Sequence, residues 1–253
     1  MNMRAIAALW SRELLRFFRD RARVVGALAP PVVFWFLIGS GLGNAFKMPG
    51  AAAGVDFLQY FFSGTLVLIV LFTSVFATIS IIEDRREGFL QAVLVAPITR
   101  LSIVLGKVLG AATVGLIQGS FFLVLTPLSG IDLPLQGFLW AATAMALASL
   151  GLTGLGFCIA WKMDSTQGFH AVMNLFLIPM WMLSGALFPH STAPGWLRFV
   201  MSANPVSYAV SALQHSFGMG SVALASLPLC LLVLTGFSVA TLGACVWLAR
   251  DQD

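Results

Sequence analysis

Long stretches without Asp, Glu, Lys or Arg alternate with short charged segments along this chain. A helix needs about 20 apolar residues to cross a bilayer core of about 30 Å, and Pro and Gly divide the longest stretches. The pattern predicts six membrane-spanning helices, at residues 24–43, 57–82, 103–126, 136–161, 168–188 and 222–249. Pro30 and Pro31 lie early in the first span, where they should kink the helix or mark its true start.

The N-terminal segment has a different periodicity. Its apolar residues recur at three- and four-residue steps, namely Ile6, Leu9, Trp10, Leu14, Phe17 and Phe18. Arginines, among them Arg12, Arg16 and Arg19, fill the opposite face. This pattern is typical of an amphipathic helix on a membrane surface. We therefore expect residues 1–23 to form an interface helix on the inner leaflet and residues 24–253 to form the membrane domain. The alternative is a solvated helix that only sets the topology.

A charged segment follows the second predicted span. Its five consecutive charged residues are Glu83, Asp84, Arg85, Arg86 and Glu87. Gly88 comes next, and then a short run places Phe89, Leu90, Val93 and Leu94 on one side of a helix that Pro97 ends. This run is too short to span a bilayer, so we predict a short cytoplasmic helix. Its apolar side could lie on lipid or bind a cytoplasmic partner, and the pattern favours neither alternative.

Two short apolar stretches, 196–203 and 206–217, precede the last predicted span. Neither can span a bilayer alone, and a joined seventh span would place the two termini on opposite sides. We therefore predict a re-entrant hairpin of two half-helices in the outer leaflet, with Asn204 and Pro205 at its turn.

Composition and charge support a polytopic, all-helical membrane protein. Apolar residues make up 59% of the 253 residues, charged residues make up 9%, and the mean hydropathy is +0.94. A soluble domain has about 25% charged residues. With the N-terminus inside, the only basic residues among the 14 that fall outside are Lys47 and Arg198. This asymmetry predicts that both termini are cytoplasmic.

Motifs for chemistry are missing from the sequence. It contains no P-loop, no HExxH, no GxSxG and no Cys/His cluster with the spacing of metal ligands. The predicted spans carry no Asp, Glu, Lys or Arg near their middle, where ion-driven transporters usually place a coupling residue. We therefore expect no catalytic or metal site and no nucleic-acid partner, and we expect energy to come from a separate cytoplasmic polypeptide.

Three segments resemble the permease subunit of type-2 ABC exporters, a group that includes drug, nodulation-factor and polysaccharide exporters. They are residues 83–100, residues 183–189, and residues 194–197 together with Asn204, Pro205 and Tyr208. Phe89 and Gln91 depart from the family pattern, which commonly has Thr and an acidic residue there.

The resemblance implies a membrane assembly in the bacterial cytoplasmic membrane. Two permeases would pair as a dimer, and two P-loop ATPase subunits, which bind the ATP and magnesium, would dock below them. Residues 83–90, Pro97 and the N-terminal helix would form the docking surface.

The aromatic and methionine pairs Phe34–Trp35 and Met180–Trp181 could line an apolar substrate path, since methionine adapts to varied shapes. Ordinary helix packing or lipid contact is the alternative. An amphiphile fits best, such as a hydrophobic drug, a lipid or a lipid-linked glycan. Two other function classes stay open: a membrane assembly protein without transport, and a lipid-modifying membrane enzyme.

Overall fold

The computed structural model describes residues 2–42 and 56–250, and every regular element in these ranges is helical. The α-helices are α1 (Met3–Arg19), α2 (Arg21–Leu42), α3 (Phe57–Ala77), α4 (Ile79–Arg86), α5 (Phe89–Val95), α6 (Arg100–Leu123), α7 (Leu135–Ala160), α8 (Thr166–Trp181), α9 (Gly195–Ala203), α10 (Pro205–Ser216) and α11 (Leu227–Arg250). The predicted all-helical membrane fold is confirmed.

Five helical segments are long and apolar enough to cross a membrane: Phe57–Arg86, Arg100–Leu123, Leu135–Ala160, Thr166–Ala186 and Leu227–Arg250. A sixth results if the pair Met3–Arg19 and Val24–Gly39, which bends by 81°, counts as one span. The described chain thus has five or six candidate spans where the sequence predicts six. Helix α2 continues through Pro30 and Pro31, so it does not begin there. Lys47 lies outside the described residues.

Helix α3 runs through the middle of the bundle, where it packs against α2, α6, α7 and α8. Most of its residues are apolar and buried, as expected for a helix that its neighbours enclose on most sides. An aromatic cluster joins it to its neighbours, because Phe62 of α3 stacks on Phe122 of α6 and Trp35 of α2 meets both rings edge-on.

The bundle has two structurally different ends. The end that carries α1, α4, α5 and the turn at residues 161–166 is called the α5 end below. The opposite end, called the α9 end, carries α9, the start of α10 and a single π-helical turn, Met182–Ala186, in which Leu183 and Gly185 leave the helical conformation. Two helices do meet at Asn204 there. Their position in an outer leaflet stays a prediction.

Candidate coupling site and cavity

The short helix α5 stands between α4 and α6, and backbone geometry sets both of its ends. Gly88 has φ of +76°, a left-handed conformation that suits the residue after a helix. Ala96, before Pro97, is extended and ends α5. Leu90 packs into the core, whereas Val95 is 86% exposed. The predicted short helix is therefore present, but part of its apolar side faces the protein.

Asp84 lies at the centre of an ion network in which Glu13, Asp84 and Lys107 are buried and Arg12 and Arg16 are half-buried. Its side chain is 0% exposed and accepts two hydrogen bonds from Arg12, of 2.7 and 2.9 Å. Arg16 Nη1 donates a third bond of 2.7 Å, and Lys107 Nζ donates to the other carboxylate oxygen. Lys107 Nζ also lies 2.8 Å from Glu13 Oε1. Asp84 was expected at a docking surface, but these contacts hold its side chain in the interior of the protein.

The network forms because α1 crosses α6 at close range. A Cβ atom added at Gly110 would lie 2.6 Å from Glu13 Cβ, so the absence of a side chain there allows the crossing. The crossing buries Ile6, Leu9 and Phe17 of α1. It also brings Glu13 to Lys107, which is 3% exposed.

The arginines of α1 differ from the sequence-based expectation. Arg12 and Arg16 point towards the protein and bind Asp84, rather than facing the leaflet or solvent, whereas Arg19 is exposed. Burial lowers the pKa of Arg12, but the hydrogen bond and charge of Asp84 raise it more, so its pKa lies above the ordinary value. Arg12 therefore stays charged.

The other arginines of the charged segment bind a different loop. Arg85 donates to the carbonyls of Trp161 and Met163, and its Nη1 lies 2.9 Å from Asp164 Oδ1. Arg86 Nε donates to the Asp164 carbonyl at 2.9 Å. Arg85 and Arg86 were expected to contact a cytoplasmic partner, but in the structure they bind α4 to the turn between α7 and α8.

The ion network reaches the beginning of α5. Arg16 Nη2 lies 3.0 Å from Glu83 Oε2 and 3.3 Å from Glu87 Oε1. The Arg12 guanidinium lies 3.7 Å from the centre of the Phe89 ring, within range of a cation–π contact. The beginning of α5 is therefore in direct contact with α1, and Lys107 of α6 joins the same network through Glu13 and Asp84.

Sequence reasoning missed Glu13 and Lys107 as members of this site. The available signal was Lys107 itself, a lone charge near the start of an otherwise apolar span. Its partners could not be identified, because they lie 94 and 23 residues away along the chain.

A cavity of about 680 Å3 opens between α2, α3 and α8. Phe34, Phe72 and Trp181 contribute to its apolar wall, and Glu83 and His170 lie along its lining near the α5 end. Two of the four residues predicted to line a substrate path, Phe34 and Trp181, therefore line the same cavity.

Trp35 and Met180, the other two path residues, lie elsewhere. Trp35 is 4% exposed, and its indole Nε1 donates to the Leu58 carbonyl at 3.1 Å. Met180 packs against the core.

Asn204 fastens the α9 end. Its side-chain oxygen accepts from the Val206 N–H at 3.0 Å, and its Nδ2 donates to the carbonyls of Met180 and Leu183 at 2.6 and 3.3 Å. Pro205 occupies the first turn of α10, a position that needs no N–H. Tyr208 donates to the Ser202 carbonyl at 2.8 Å.

Comparison with known proteins identifies the family. A family model described as ABC-2 type transporter matches residues 4–217. Nodulation protein J of Rhizobium meliloti (strain 1021) is 28% identical over 210 residues, which cover 82% of this chain and 79% of that protein. Nodulation protein J of Rhizobium leguminosarum bv. viciae is 26% identical over 240 residues, 92% and 91% of the two chains. Since the family match extends over most of the chain, this multi-pass membrane protein belongs to the ABC-2 type transporter family.

Proposed function

We propose that the chain is the permease subunit of an ATP-driven exporter, in which α5 receives the motion of a separate P-loop ATPase. The observation that carries the proposal is the ion network beneath α5. Arg12 and Arg16 connect the beginning of α5 to α1, and Lys107 continues the connection into α6. A short helix with one solvent-exposed face and ion pairs to the neighbouring helices is suited to transmit a movement of the ATPase to the membrane-spanning helices.

The partner side of α5 is its exposed face. Val95 is an apolar side chain that is 86% exposed, and Gln91 and Ala92 are exposed beside it. In this proposal the ATPase binds ATP and magnesium, this chain holds no catalytic site, and two permeases pair with two ATPase subunits. The rearrangement of the spans opens a path outward.

Substitution on α5 tests the docking surface. We expect Val95→Arg to weaken co-purification with the proposed ATPase subunit, because a charge replaces the apolar contact, while membrane levels stay normal. Leu128→Arg is the matched control, because Leu128 is 72% exposed in the short 3-10 helix Thr126–Ser129 at the α9 end. Equal ATPase recovery with both variants would contradict the proposal.

Two changes before α5 test transmission instead of docking. Glu87→Lys places a positive charge beside Arg16, and Gly88→Leu forces a bulky residue into a left-handed conformation. We expect ATP hydrolysis that no longer drives export, measured in inverted vesicles. Gly88→Asn is the control, since Asn tolerates this conformation better. If Glu87→Lys and Gly88→Leu both export at the wild-type rate, residues 83–100 only connect two spans and do not couple ATP hydrolysis to export.

The proposed substrate is an amphiphile that passes through or beside the cavity. Its apolar wall suits a hydrocarbon chain, and its polar groups near the α5 end suit a headgroup. The family match, described as ABC-2 type transporter, supports a transport role for this cavity-bearing chain.

The proposed location is the bacterial cytoplasmic membrane, with the α5 end and both termini in the cytoplasm. Single cysteines at Thr192 and Asp164, in a background without Cys158, Cys230 and Cys245, test this orientation. An impermeant thiol reagent added to intact cells should label position 192 and leave position 164 unlabelled. The reverse pattern would overturn the orientation.

A further inference from the structure

We propose that Cys158 of α7 and Cys245 of α11 form a modification site, at which a hydroperoxide oxidises the two thiols to a reversible disulfide. Both thiols are free in the structure, and their sulfur atoms lie 3.6 Å apart. The site lies outside the ion network and the cavity described above. The disulfide fixes α11, a peripheral helix, to the rest of the bundle.

Close packing of α7 on α11 sets the register of the two cysteines. A Cβ atom added at Gly154 would lie 2.6 Å from Thr241 Oγ1 and 2.7 Å from Thr241 Cβ, so the two helices are in contact at this glycine. Cys158 lies one helical turn after Gly154, and Cys245 lies one turn after Thr241. The two thiols therefore face each other in the next layer of the same interface.

Each sulfur atom reaches the backbone of the opposite helix. Cys245 Sγ lies 3.2 Å from the Gly154 carbonyl oxygen, and Cys158 Sγ lies 4.0 Å from the Thr241 carbonyl oxygen. The two side chains thus extend towards each other across the interface. Since a disulfide bond is about 2.0 Å long, the sulfur atoms must approach by about 1.6 Å, a distance on the scale of a side-chain rotation.

Cys230, the third cysteine of the chain, is not part of this site. It lies near the beginning of α11, and about four helical turns, or about 22 Å, separate it from Cys245. Its sulfur atom lies 3.5 Å from the Ala225 carbonyl oxygen. The structure therefore allows one pairing among the three cysteines, and Cys230 provides an internal reference.

The two thiols differ in access, and this difference sets the order of the steps. Cys158 is half-buried, whereas Cys245 is 0% exposed. With hydrogen peroxide, the Cys158 sulfur attacks one oxygen, the O–O bond breaks, and the thiol proton leaves with the other oxygen as water. The product is a sulfenic acid on Cys158.

Cys245 completes the reaction. Its sulfur attacks the sulfenic sulfur, so the S–S bond forms and the S–O bond breaks. The hydroxyl group leaves with the Cys245 proton as a second water. The two electrons that the thiols lose reduce the peroxide, and a small dithiol reverses the change by thiol–disulfide exchange.

The surroundings of the pair determine when the disulfide forms. Cys158 lies just before the end of α7 at Ala160, and Cys245 lies in the last turns of α11, so both lie near the α5 end. The proposed orientation places this end in the cytoplasm, where thiols are kept reduced and disulfides are mostly transient or redox-sensing. We therefore expect the disulfide under oxidative conditions. This setting rests on the proposed function, whereas the geometry of the pair does not.

The disulfide strengthens the attachment of α11. Most of this helix is not buried within the chain, and it packs against α7, α10 and part of α6. Ser238 Oγ holds it to α7 by a bond of 2.7 Å to the Leu147 carbonyl. The disulfide adds a covalent bond nearer the α5 end and joins residues 87 positions apart, which restricts the unfolded chain.

Thiol counting on the purified chain in lipid nanodiscs tests the site. The protein is treated with hydrogen peroxide, denatured and alkylated with iodoacetamide, and mass spectrometry counts the alkyl groups. Without peroxide we expect three, one for each cysteine. After peroxide only Cys230 should be alkylated, a cross-linked Cys158–Cys245 peptide should appear, and dithiothreitol should restore the full count. Retention of all three thiols, or a disulfide that includes Cys230, would overturn the site.

Serine variants test the order of the steps. In Cys245→Ser the reaction should stop at the sulfenic acid, and we expect dimedone to trap it several-fold more than in the wild type. In Cys158→Ser the buried Cys245 should remain a thiol. Cys230→Ser is the matched control and should form the disulfide like the wild type. Dimedone labelling of the wild type as strong as that of Cys245→Ser would show that Cys245 does not complete the bond.

Thermal unfolding tests the attachment of α11. We expect peroxide to raise the Tm of the wild type and of Cys230→Ser by about 5–10 °C, and dithiothreitol to reverse this shift. The Tm of Cys158→Ser should not rise. A complete disulfide with an unchanged Tm would contradict the attachment of α11 while confirming the modification.

These measurements use the chain without an ATPase, so they are separate from the test of the proposed function. Failure of Val95→Arg to affect ATPase recovery contradicts the permease proposal and leaves the thiol counts as expected. If Val95→Arg weakens recovery while all three thiols survive peroxide, only the disulfide site is wrong.

Discussion

The two ends of the bundle are held together by different forces. At the α5 end, buried charges on α1, α4 and α6 converge on Asp84. At the α9 end, neutral side chains bind backbone carbonyls: Asn204 donates to Met180 and Leu183, Tyr60 donates to Gly185, and Trp181 donates to Gly64. The carbonyls of Leu183 and Gly185 are available because the chain leaves regular helix at residues 182–186, whereas the Gly64 carbonyl lies within α3.

This difference indicates how each end can respond to motion. A buried ion pair is costly to separate, because each charge would be left without its partner in a medium of low dielectric constant. The α5 end should therefore move as one body. The bonds at the α9 end are neutral and individually weaker, so that end can rearrange in smaller steps. In the proposed permease, a rigid α5 end would transmit the movement of the ATPase, and the α9 end would rearrange in response.

Removal of Asp84 should have the largest effect. Asp84→Leu leaves Arg12, Arg16 and Lys107 around an apolar side chain, and breaking a buried pair costs about 3–5 kcal/mol. We expect this loss in the free energy of unfolding, measured in detergent micelles. Asp164→Asn is the control, since Asp164 is 85% exposed and a surface pair contributes about 0–1 kcal/mol. Similar losses in both variants would show that burial does not strengthen the network.

A methyl group at the crossing of α1 and α6 should have the next largest effect. In Gly110→Ala the new Cβ would lie 2.6 Å from Glu13 Cβ, so α1 must move. Overpacking of this kind costs about 1–3 kcal/mol. Gly236→Ala on α11 is the control, because a Cβ there meets nothing within 4 Å. We expect faster proteolysis of α1 in Gly110→Ala only.

The α9 end can be weakened selectively at Asn204. Asn204→Ala removes the cap of α10 and leaves the Met180 and Leu183 carbonyls without their donor, and we expect a cost of about 1–2 kcal/mol. Asn204→Ser retains an oxygen that can accept from Val206 N–H and should recover only the capping part. Equal stability of the Ala and Ser variants, measured by thermal unfolding, would assign the whole effect to the donor bonds.

The pattern of apolar residues predicted the helices better than it predicted their ends. Helix α7 was expected at 136–161 and runs over Leu135–Ala160. Helix α8 was expected to reach residue 188 but ends at Trp181. The sequence stays apolar to Phe188, and the end is set by the non-helical conformation of Leu183 and Gly185, which apolarity does not encode.

The candidate site was predictable only in part. The charged segment and short helix were evident, because a charge cluster before a run too short to span is a local pattern. The ion network was not, because Glu13 meets Lys107 only after α1 has crossed α6 at Gly110. The sequence therefore suggested a charged surface where the folded chain has a buried network.

The smallest effect should come from the exposed Glu87–Arg16 pair at the edge of the ion network. Its dependence on salt should distinguish the charged α5 end from the neutral α9 end. Glu87 is 59% exposed, so its pair with Arg16 is expected to contribute about 0.2–1 kcal/mol and to weaken as ionic strength rises. The Lys107–Glu13 pair is shielded from ions, since the two side chains are 2% and 5% exposed. Added KCl should therefore lower the Tm of the wild type slightly, and Glu87→Gln should remove part of this dependence, because the exposed Arg85–Asp164 pair is screened as well. Asn204→Ala should keep the wild-type salt dependence at a lower Tm, because the bonds it breaks are neutral. If Glu87→Gln retains the full salt dependence, the charges at the α5 end are screened as a whole, and the contrast between a buried network and its exposed rim is wrong.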